Sequence, residues 1–296
     1  MKRMNIETQT DKPSPTKCGI YGCGRTGTAI AYALMKSGYC RDLVLVDPTQ
    51  EQAEREAAEL SGALPFCLHT DVYAGDEAEL ADCGVIVTAA DCNSPSQAEA
   101  LYQTVRGVLA RGGNPIVIHA TAPLESITQG LYERAGLEAG RVLGVGYVTE
   151  CVRLRKMLGR HLRVNSAAIS VFLLGGADGR LAVWSRANVS GLALREYCEI
   201  CGRGYDVGVM EGLFESAWEQ SRKSVYTVAE SVRRIFLAIV RDENVILPVT
   251  HPAIGHYGFN GISLSMPCII GKNGVHRVLE IPLDDAEERH LRMIVE

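Results

Sequence analysis

The stretch Cys18–Lys36, CGIYGCGRTGTAIAYALMK, decides the fold of this chain. Its first four residues form a short apolar run that predicts a buried β-strand. Thr26–Lys36 is rich in alanine and carries its larger apolar residues on one face, which predicts a helix. Between them lies GCGRTG, residues 22–27, which matches the pattern G-x-G-x-x-G. A strand, a glycine-rich turn and a helix in this order predict a Rossmann unit that binds a dinucleotide.

Each glycine of the motif is explained by what the absence of a side chain permits at its position. Gly22 permits the tight turn, and Gly24 lets the backbone approach the pyrophosphate of the cofactor. Gly27 allows the helix to pack closely on the strand. Arg25 and Thr26 begin the helix, whose N-terminus faces the negative phosphates. The alternative is a glycine turn that binds nothing.

Asp47 sets the expected choice of cofactor. It closes the second predicted strand, twenty residues after Gly27. A carboxylate there accepts hydrogen bonds from the ribose hydroxyls and repels a 2′-phosphate. No arginine follows at residues 48–50 to bind such a phosphate. We therefore expect NAD rather than NADP, with Ala89, Ala90 and Thr121 completing the cofactor site.

The segments that follow predict an α/β fold with two domains. In the N-terminal half, short apolar runs alternate with helical segments, as in a doubly wound parallel sheet buried on both faces. We assign residues 1–16 to a loose tail, 17–146 to the Rossmann domain and 147–296 to an α+β substrate domain. The second half contains these predicted elements: a helix at Glu150–His161, a β-rich stretch at Val164–Leu174, one long helix at Gly212–Asp242, two strands within Ile262–Ile281 and a helix at Asp284–Glu296.

Composition excludes several classes of protein. The net charge of -5 and the pI near 5.9 indicate no broad basic surface, so we expect no nucleic-acid partner. The N-terminus lacks an apolar core like that of a signal peptide, and the longest apolar run is too short for a bilayer. We expect a cytoplasmic protein with no membrane partner. Cys198 and Cys201 form a C-x-x-C without a second ligand pair, so we interpret them as helical cysteines and expect no metal.

Longer segments resemble the L-lactate/malate dehydrogenase family from Lys17 to the C-terminus. GCGRTGTAIAYAL and DLVLVDPT resemble the family's nucleotide loop and second strand, and TAPLESIT is similar to its TNPVDILT. GVGYVTECVRLR resembles the helix that carries a catalytic Asp and a substrate-binding Arg. VWSRANVSG, RDENVILPV and LSMPCIIGKNGVHRVLEIPL resemble the second domain. The resemblance implies an NAD-dependent dehydrogenase of small carboxylates that assembles as a homodimer or homotetramer.

The family's catalytic residues carry over unevenly. Arg153 stands at the position of the arginine that binds the substrate carboxylate, and Glu150 at that of the Asp that holds the catalytic His. Gly176 occupies the position of the His itself. Ala122 replaces an Asn that contacts the reacting oxygen. The segment at 90–95 leads straight into a helix, without the family's mobile loop and its second Arg.

These differences predict a reshaped active site. An alkoxide that forms from a ketone needs a proton donor and a stabilising charge, so we expect negligible turnover of lactate or malate. Glu150 either positions Arg153 or donates the proton itself. Tyr147, Cys92 and Asp91 are candidate helpers.

Two functions stay open at this point. The first is an NAD-dependent oxidoreductase that acts on a carboxylate-bearing 2-oxo/2-hydroxy or 2-imino/2-amino substrate other than lactate. An iminium fits because it arrives already protonated and polarised. The second is a catalytically silent paralogue that binds NAD(H) and works through a partner protein. We interpret His119, on a predicted inner strand, as a core residue rather than a site residue.

Overall fold

A computed structural model describes residues 16–68, 70–221 and 224–295. The helices are α1 (Arg25–Met35), α2 (Gln50–Ser61), α3 (Pro95–Ala110), α4 (Leu124–Glu133), α5 (Val148–Leu162), α6 (Leu194–Ile200), α7 (Val207–Ser221), α8 (Tyr226–Val240) and α9 (Asp285–Val295). The strands are β1 (Thr16–Tyr21), β2 (Cys40–Val46), β3 (Asp71–Ala74), β4 (Val85–Thr88), β5 (Ile116–His119), β6 (Val142–Gly144), β7 (Ile169–Gly175), β8 (Arg180–Val189), β9 (Leu192–Ala193), β10 (Val245–Ile254), β11 (Asn260–Gly271) and β12 (Gly274–Val278).

The N-terminal half is a Rossmann sheet. Its strands lie in the order β3-β2-β1-β4-β5-β6, and the neighbouring strands are parallel. Buried residues of β1 pack into one apolar cluster with α1 and into another with α3, which covers the sheet on both faces. This confirms the predicted doubly wound fold. The order reverses between β1 and β4, so the carboxyl ends of these strands form the crevice where ligands bind in such sheets.

The C-terminal half adds antiparallel strands and helices, as predicted for an α+β region. Strand β10 joins the parallel sheet through the pair Thr250 and Gly144, and then pairs along its length with β11. Beyond β11 the order continues through β7, β8 and β9, while β12 also pairs with β11. β11 and β12 are the two strands predicted within Ile262–Ile281, and residues 272 and 273 connect them.

Two predicted elements differ from the structure, and some strands were not predicted. The single long helix expected at Gly212–Asp242 is wrong, because α7 ends at Ser221 and α8 begins at Tyr226. Apolar residues of helical spacing on both sides of the break concealed it. Strands β3, β8 and β10 were not predicted as strands, because polar or proline residues interrupt their apolar pattern. The β-rich stretch at Val164–Leu174 begins with a helical turn and becomes a strand only at Ile169.

The predicted tail falls mostly outside the described residues. Its last residue, Thr16, is the first residue of β1. In the part of the chain that the structure describes, no helix is both long and apolar enough to cross a bilayer. Within the same ranges, no cluster of three or more His, Cys, Asp or Glu side chains could hold a metal ion. Cys198 is buried in α6, and Cys201 is exposed just after it.

Candidate active site

The glycine turn brings β1, α1 and the end of β4 close together. Gly22 has a φ of +100°, a conformation that favours glycine, and a side chain there would overlap the backbone of Ala90. A side chain on Gly27 would overlap the carbonyl oxygen of Gly22. These two glycines therefore have steric reasons that lie in the protein itself.

Gly24 differs from the other two glycines. It is the N-cap residue of α1, and a Cβ added there would meet no atom within 4 Å. The start of α1 leaves backbone N–H groups without helical partners, and the helix dipole adds a partial positive charge. The backbone at Gly24 thus leaves room for an anionic group at a helix N-terminus.

Asp47 holds the same turn from the next strand. Its Oδ2 accepts a hydrogen bond from the Cys23 N–H at 2.7 Å, and its Oδ1 accepts one from the Thr49 N–H at 2.9 Å. A carboxylate has about four acceptor positions, so it can still accept hydrogen bonds from ribose hydroxyls. Asp47 therefore fixes the glycine turn and keeps acceptors for a ligand.

A cavity of about 720 Å³ lies over the crevice between β1 and β4. Eight of the nine residues predicted to bind the cofactor line it: Gly22, Gly24, Arg25, Thr26, Asp47, Ala89, Ala90 and Thr121. Gly27 stands behind them, where it packs α1 on the turn. The helix N-terminus, the open backbone at Gly24 and the Asp47 carboxylate fit NAD.

Glu150 lies in the first turn of α5. Burial raises its pKa to about 7, and the nearby Glu125 adds to this effect. The Glu150 backbone N–H, the Ser221 hydroxyl and the charge of Arg153 oppose the shift. Its Oε2 is buried and has no hydrogen-bond partner among the described residues. A carboxyl in this setting exchanges its proton near neutral pH.

Arg153 lies one turn further along α5. Its Nη2 donates hydrogen bonds to Ser224 Oγ at 2.8 Å and to Thr227 Oγ1 at 3.1 Å. Its Nε is buried and has no hydrogen-bond partner within the described ranges. Hydroxyls just before α8 and in its first turn thus orient the guanidinium and leave the Nε donor free.

Gly176, at the position that the resemblance gives to the family's proton donor, is buried at the end of β7. Its carbonyl oxygen accepts a hydrogen bond from the Tyr147 hydroxyl at 3.2 Å. Burial, strengthened by the charges of Glu125 and Glu150, raises the pKa of Tyr147 well above its usual value. The Tyr147 hydroxyl therefore stays protonated and donates a hydrogen bond to the backbone carbonyl of Gly176.

Two buried side chains with an unpaired polar atom, Glu150 and Arg180, lie near Tyr147. The atoms Glu150 Oε2, Arg153 Nε and Arg180 Nε are three of the six buried side-chain N or O atoms without a partner in the described structure. The charge of Glu150 raises the pKa of Tyr147, and the charge of Arg180 lowers it. Trp218 packs edge-on against the Tyr147 ring, with the ring centroids 5.3 Å apart. Buried polar atoms without partners call for an explanation, and a catalytic role is one such explanation.

Three further residues weighed in the sequence analysis are Cys92, Asp91 and His119. Cys92 is buried, and burial raises its thiol pKa, whereas Asp91 is exposed beside the cofactor cavity. His119 is fully buried, and its Nδ1 lies 2.8 Å from Thr88 Oγ1. Burial lowers the His119 pKa to about 4, so this side chain is neutral in the core.

A second cavity, of about 630 Å³, adjoins the first across two chain segments. Residues 92–95 line it, whereas Ala90 and Asp91 line the cofactor cavity. Likewise Pro123 lines this second cavity and Thr121 the first. Helix α3 starts directly at Pro95 with a capping box between Ser94 and Gln97, so the segment after β4 is short.

Sequence reasoning missed the hydroxyls that hold Arg153, and it missed Glu125. Ser224 and Thr227 fall inside the stretch predicted as one continuous helix, which hid the break that presents them. Glu125 follows Pro123 at the start of α4, and its place beside Gly176 depends on the packing of α4 against β11. A polar residue soon after the end of a parallel strand was the only local signal.

The parallel sheet and the cavity lined by the glycine turn and Asp47 are those of an NAD-binding protein. Comparison with known proteins agrees. The family model described as lactate/malate dehydrogenase, NAD binding domain, matches residues 16–144. The model described as lactate/malate dehydrogenase, alpha/beta C-terminal domain, matches residues 150–296. The chain belongs to the lactate/malate dehydrogenase family.

Its relatives match over nearly the whole chain. An L-lactate dehydrogenase of Thermoanaerobacterium saccharolyticum is 34% identical over 295 residues, which cover 94% of this chain and 95% of the relative. One from Thermoanaerobacter sp. (strain X514) is 32% identical over 289 residues, covering 92% and 93%. The ligand-bound minor L-lactate dehydrogenase from Enterococcus mundtii is similar in structure, with a TM-score of 0.86, 30% identity and 95% of each chain covered.

Proposed function

We propose that the protein is an NAD-dependent oxidoreductase of a carboxylate-bearing substrate other than lactate. Hydride passes to or from a 2-oxo/2-hydroxy or 2-imino/2-amino substrate. The observation that carries this proposal is the pair Glu150 and Arg153, each with a buried polar atom that has no partner among the described residues. NAD(H), when bound, supplies the hydride chemistry.

Arg153 would bind the substrate carboxylate. A planar guanidinium presents parallel N–H donors that match two carboxylate oxygens. Ser224 and Thr227 accept hydrogen bonds from Nη2 and fix the plane of the group, and Nε has no partner among the described residues. A substrate carboxylate would accept from Nε and replace one of the two hydroxyls at Nη2. The hydroxyls do not neutralise the positive charge, so it remains available to an anion.

Glu150 would act as the proton donor. Its pKa of about 7 keeps a sizeable protonated fraction at neutral pH, which a general acid needs. Gly176 has no side chain and Tyr147 holds its proton tightly, so Glu150 is the better acid of the three. An iminium substrate would depend less on this proton, because it arrives protonated.

A second candidate is a silent paralogue that binds NAD(H) and acts through a partner protein. Gly176 and Ala122, which lack functional side chains at two catalytic positions, favour it. A silent protein has no need of the hydroxyls around Arg153, so the contacts of Ser224 and Thr227 favour the enzyme. We further propose a homodimer or homotetramer, which the family resemblance supports.

Ligand protection separates the two candidates. Oxamate or oxalate should raise the unfolding temperature of the NADH-loaded protein, because the Arg153 guanidinium binds the added carboxylate. The same anions should not protect Arg153→Lys. If millimolar oxamate and oxalate leave the wild type unchanged, Arg153 is not a carboxylate site and the silent paralogue is the better account.

A further inference from the structure

The second cavity begins where the side chain of residue 176 would stand. A Cβ added to Gly176 would lie 3.1 Å from Leu264 Cδ2 and 4.0 Å from Glu125 Cγ. All three residues line the cavity of about 630 Å³. The position that lacks a side chain therefore faces this cavity, and a large side chain at 176 would have to displace Leu264.

Apolar side chains form much of the cavity wall. Tyr102 of α3 and Ile127 of α4 stand on one side, with Leu264 of β11 and Ile294 of α9 among the other walls. The polar groups of Gln129 and Ser263 pair with each other at 2.8 Å. A ligand in this cavity would meet mainly carbon atoms.

The charges of the cavity disfavour an acidic ligand. The guanidinium of Arg134 pairs with Glu99, and it stacks on the Tyr102 ring at 4.9 Å from the ring centre. Glu125 and Asp178 line the end near Gly176. Burial raises the pKa of Glu125, and the charge of Asp178 raises it further. A carboxylate on the ligand's side chain would meet Glu125 and Asp178, and among the described residues that line the cavity the one guanidinium, that of Arg134, is already paired with Glu99.

We propose that this cavity is the subsite for the side chain of the substrate, and that this side chain is bulky, apolar and not acidic. The inference rests on the proposed function and narrows its substrate class. The volume is within the range of sites for small organic ligands. A methyl group would leave most of the cavity wetted, whereas a branched aliphatic chain or a phenyl ring would bury apolar surface against Tyr102, Ile127 and Leu264.

Binding of four 2-hydroxy acids tests this directly. Calorimetry on protein saturated with NAD should compare lactate, malate, 2-hydroxy-4-methylpentanoate and 3-phenyllactate. Each methylene group buried contributes about fourfold in affinity. We therefore expect the two bulky acids to bind at least about tenfold more tightly than lactate, and malate to bind more weakly than either.

A matched pair of serine variants locates the site. Ser126 is exposed on α4 and lines the cavity, so Ser126→Trp should fill it without disturbing the core. Ser61→Trp places the same ring on an exposed site at the end of α2, outside the cavity. Ser126→Trp should abolish the preference for bulky acids, whereas Ser61→Trp should keep it. NAD affinity should be unchanged in both.

The outcomes distinguish the two levels of the proposal. If lactate or malate binds as tightly as the bulky acids, or if Ser126→Trp keeps the preference, the subsite is wrong and the proposed function stands. If none of the four acids binds to NAD-saturated protein, the subsite proposal fails, and the 2-oxo/2-hydroxy form of the proposed function fails with it.

Discussion

Arg153 Nη2 donates a hydrogen bond of 2.8 Å to the hydroxyl of Ser224, a residue from the connection between α7 and α8. This contact joins helix α5 to a residue that lies 71 positions later in the sequence. It orients the guanidinium without neutralising it, since a hydroxyl carries no charge. The carboxylate specificity that we propose depends on this arrangement.

Arg153→Lys should weaken substrate binding although it keeps the charge. Lysine lacks the planar pair of donors, and a charge-assisted hydrogen bond contributes roughly 1.5–3 kcal/mol. We expect at least about a tenfold loss of carboxylate affinity, measured by calorimetry on NADH-loaded protein. Arg155→Lys, on the same helix, is the control and should bind normally. Equal affinity of the two variants would contradict the role of Arg153.

The rate of substrate reduction should depend on the protonation of Glu150. A general acid works only when protonated, so kcat/KM for an oxo acid should fall as pH rises through about 7. Glu150→Gln should lower kcat/KM by about 10² to 10⁴ and remove this pH dependence. Glu199→Gln, at an exposed position of α6 outside both cavities, serves as the control. A profile that Glu150→Gln leaves unchanged would show that another group supplies the proton.

The pH dependence of the free energy of unfolding should report the protonation of Glu150 independently of activity. The folded-state pKa of Glu150 is above its ordinary value of 4.5, so the folded protein binds this proton more tightly. Its stabilising effect is therefore present below pH 4.5 and is lost as pH rises to about 7. Urea unfolding at pH 5 and pH 8 should show a larger fall in the free energy of unfolding for wild type than for Glu150→Gln. An identical fall would refute the raised pKa.

Two glycine variants should separate packing from cofactor binding. Gly27→Ala places a methyl group against the Gly22 carbonyl and should lower the free energy of unfolding by about 1–3 kcal/mol. Gly24→Ala meets no protein atom, so it should fold normally but bind NADH more weakly. NADH fluorescence and urea unfolding measure the two effects. Normal NADH affinity in Gly24→Ala would mean that the cofactor does not approach this backbone.

Asp47 should determine the cofactor preference. Asp47→Ala removes the acceptor for the ribose hydroxyls, so the affinity for NADH should fall. It also removes the repulsion of a 2′-phosphate, so the ratio of the affinities for NADH and NADPH should become smaller. The variant also loses the contacts to the Cys23 and Thr49 N–H groups, which adds some loss of stability. Fluorescence titration with both cofactors measures the ratio of affinities. A ratio as large as that of wild type would contradict this assignment.

The grouping of the proposed cofactor residues around one cavity could be predicted from the sequence, whereas the contacts around Arg153 and Gly176 could not. Gly22, Gly24 and Asp47 act through local geometry, because one turn and the end of the neighbouring strand fix their places. Ser224 contacts Arg153 only because it is a non-helical residue between α7 and α8. Glu125 lies beside Gly176 because distant elements pack together. Such contacts leave no periodic signal in the sequence.

The central claim is that the protein transfers hydride with a carboxylate-bearing substrate other than lactate. The most direct measurement is NADH consumption with a panel of 2-oxo acids, each with and without ammonium or methylamine, by wild type and by Arg153→Lys. Our account predicts marginal turnover of pyruvate and oxaloacetate, clear turnover of at least one other oxo acid or its imine, and loss of that turnover in Arg153→Lys. Robust pyruvate reduction at neutral pH, or no turnover of any member of the panel, would contradict it.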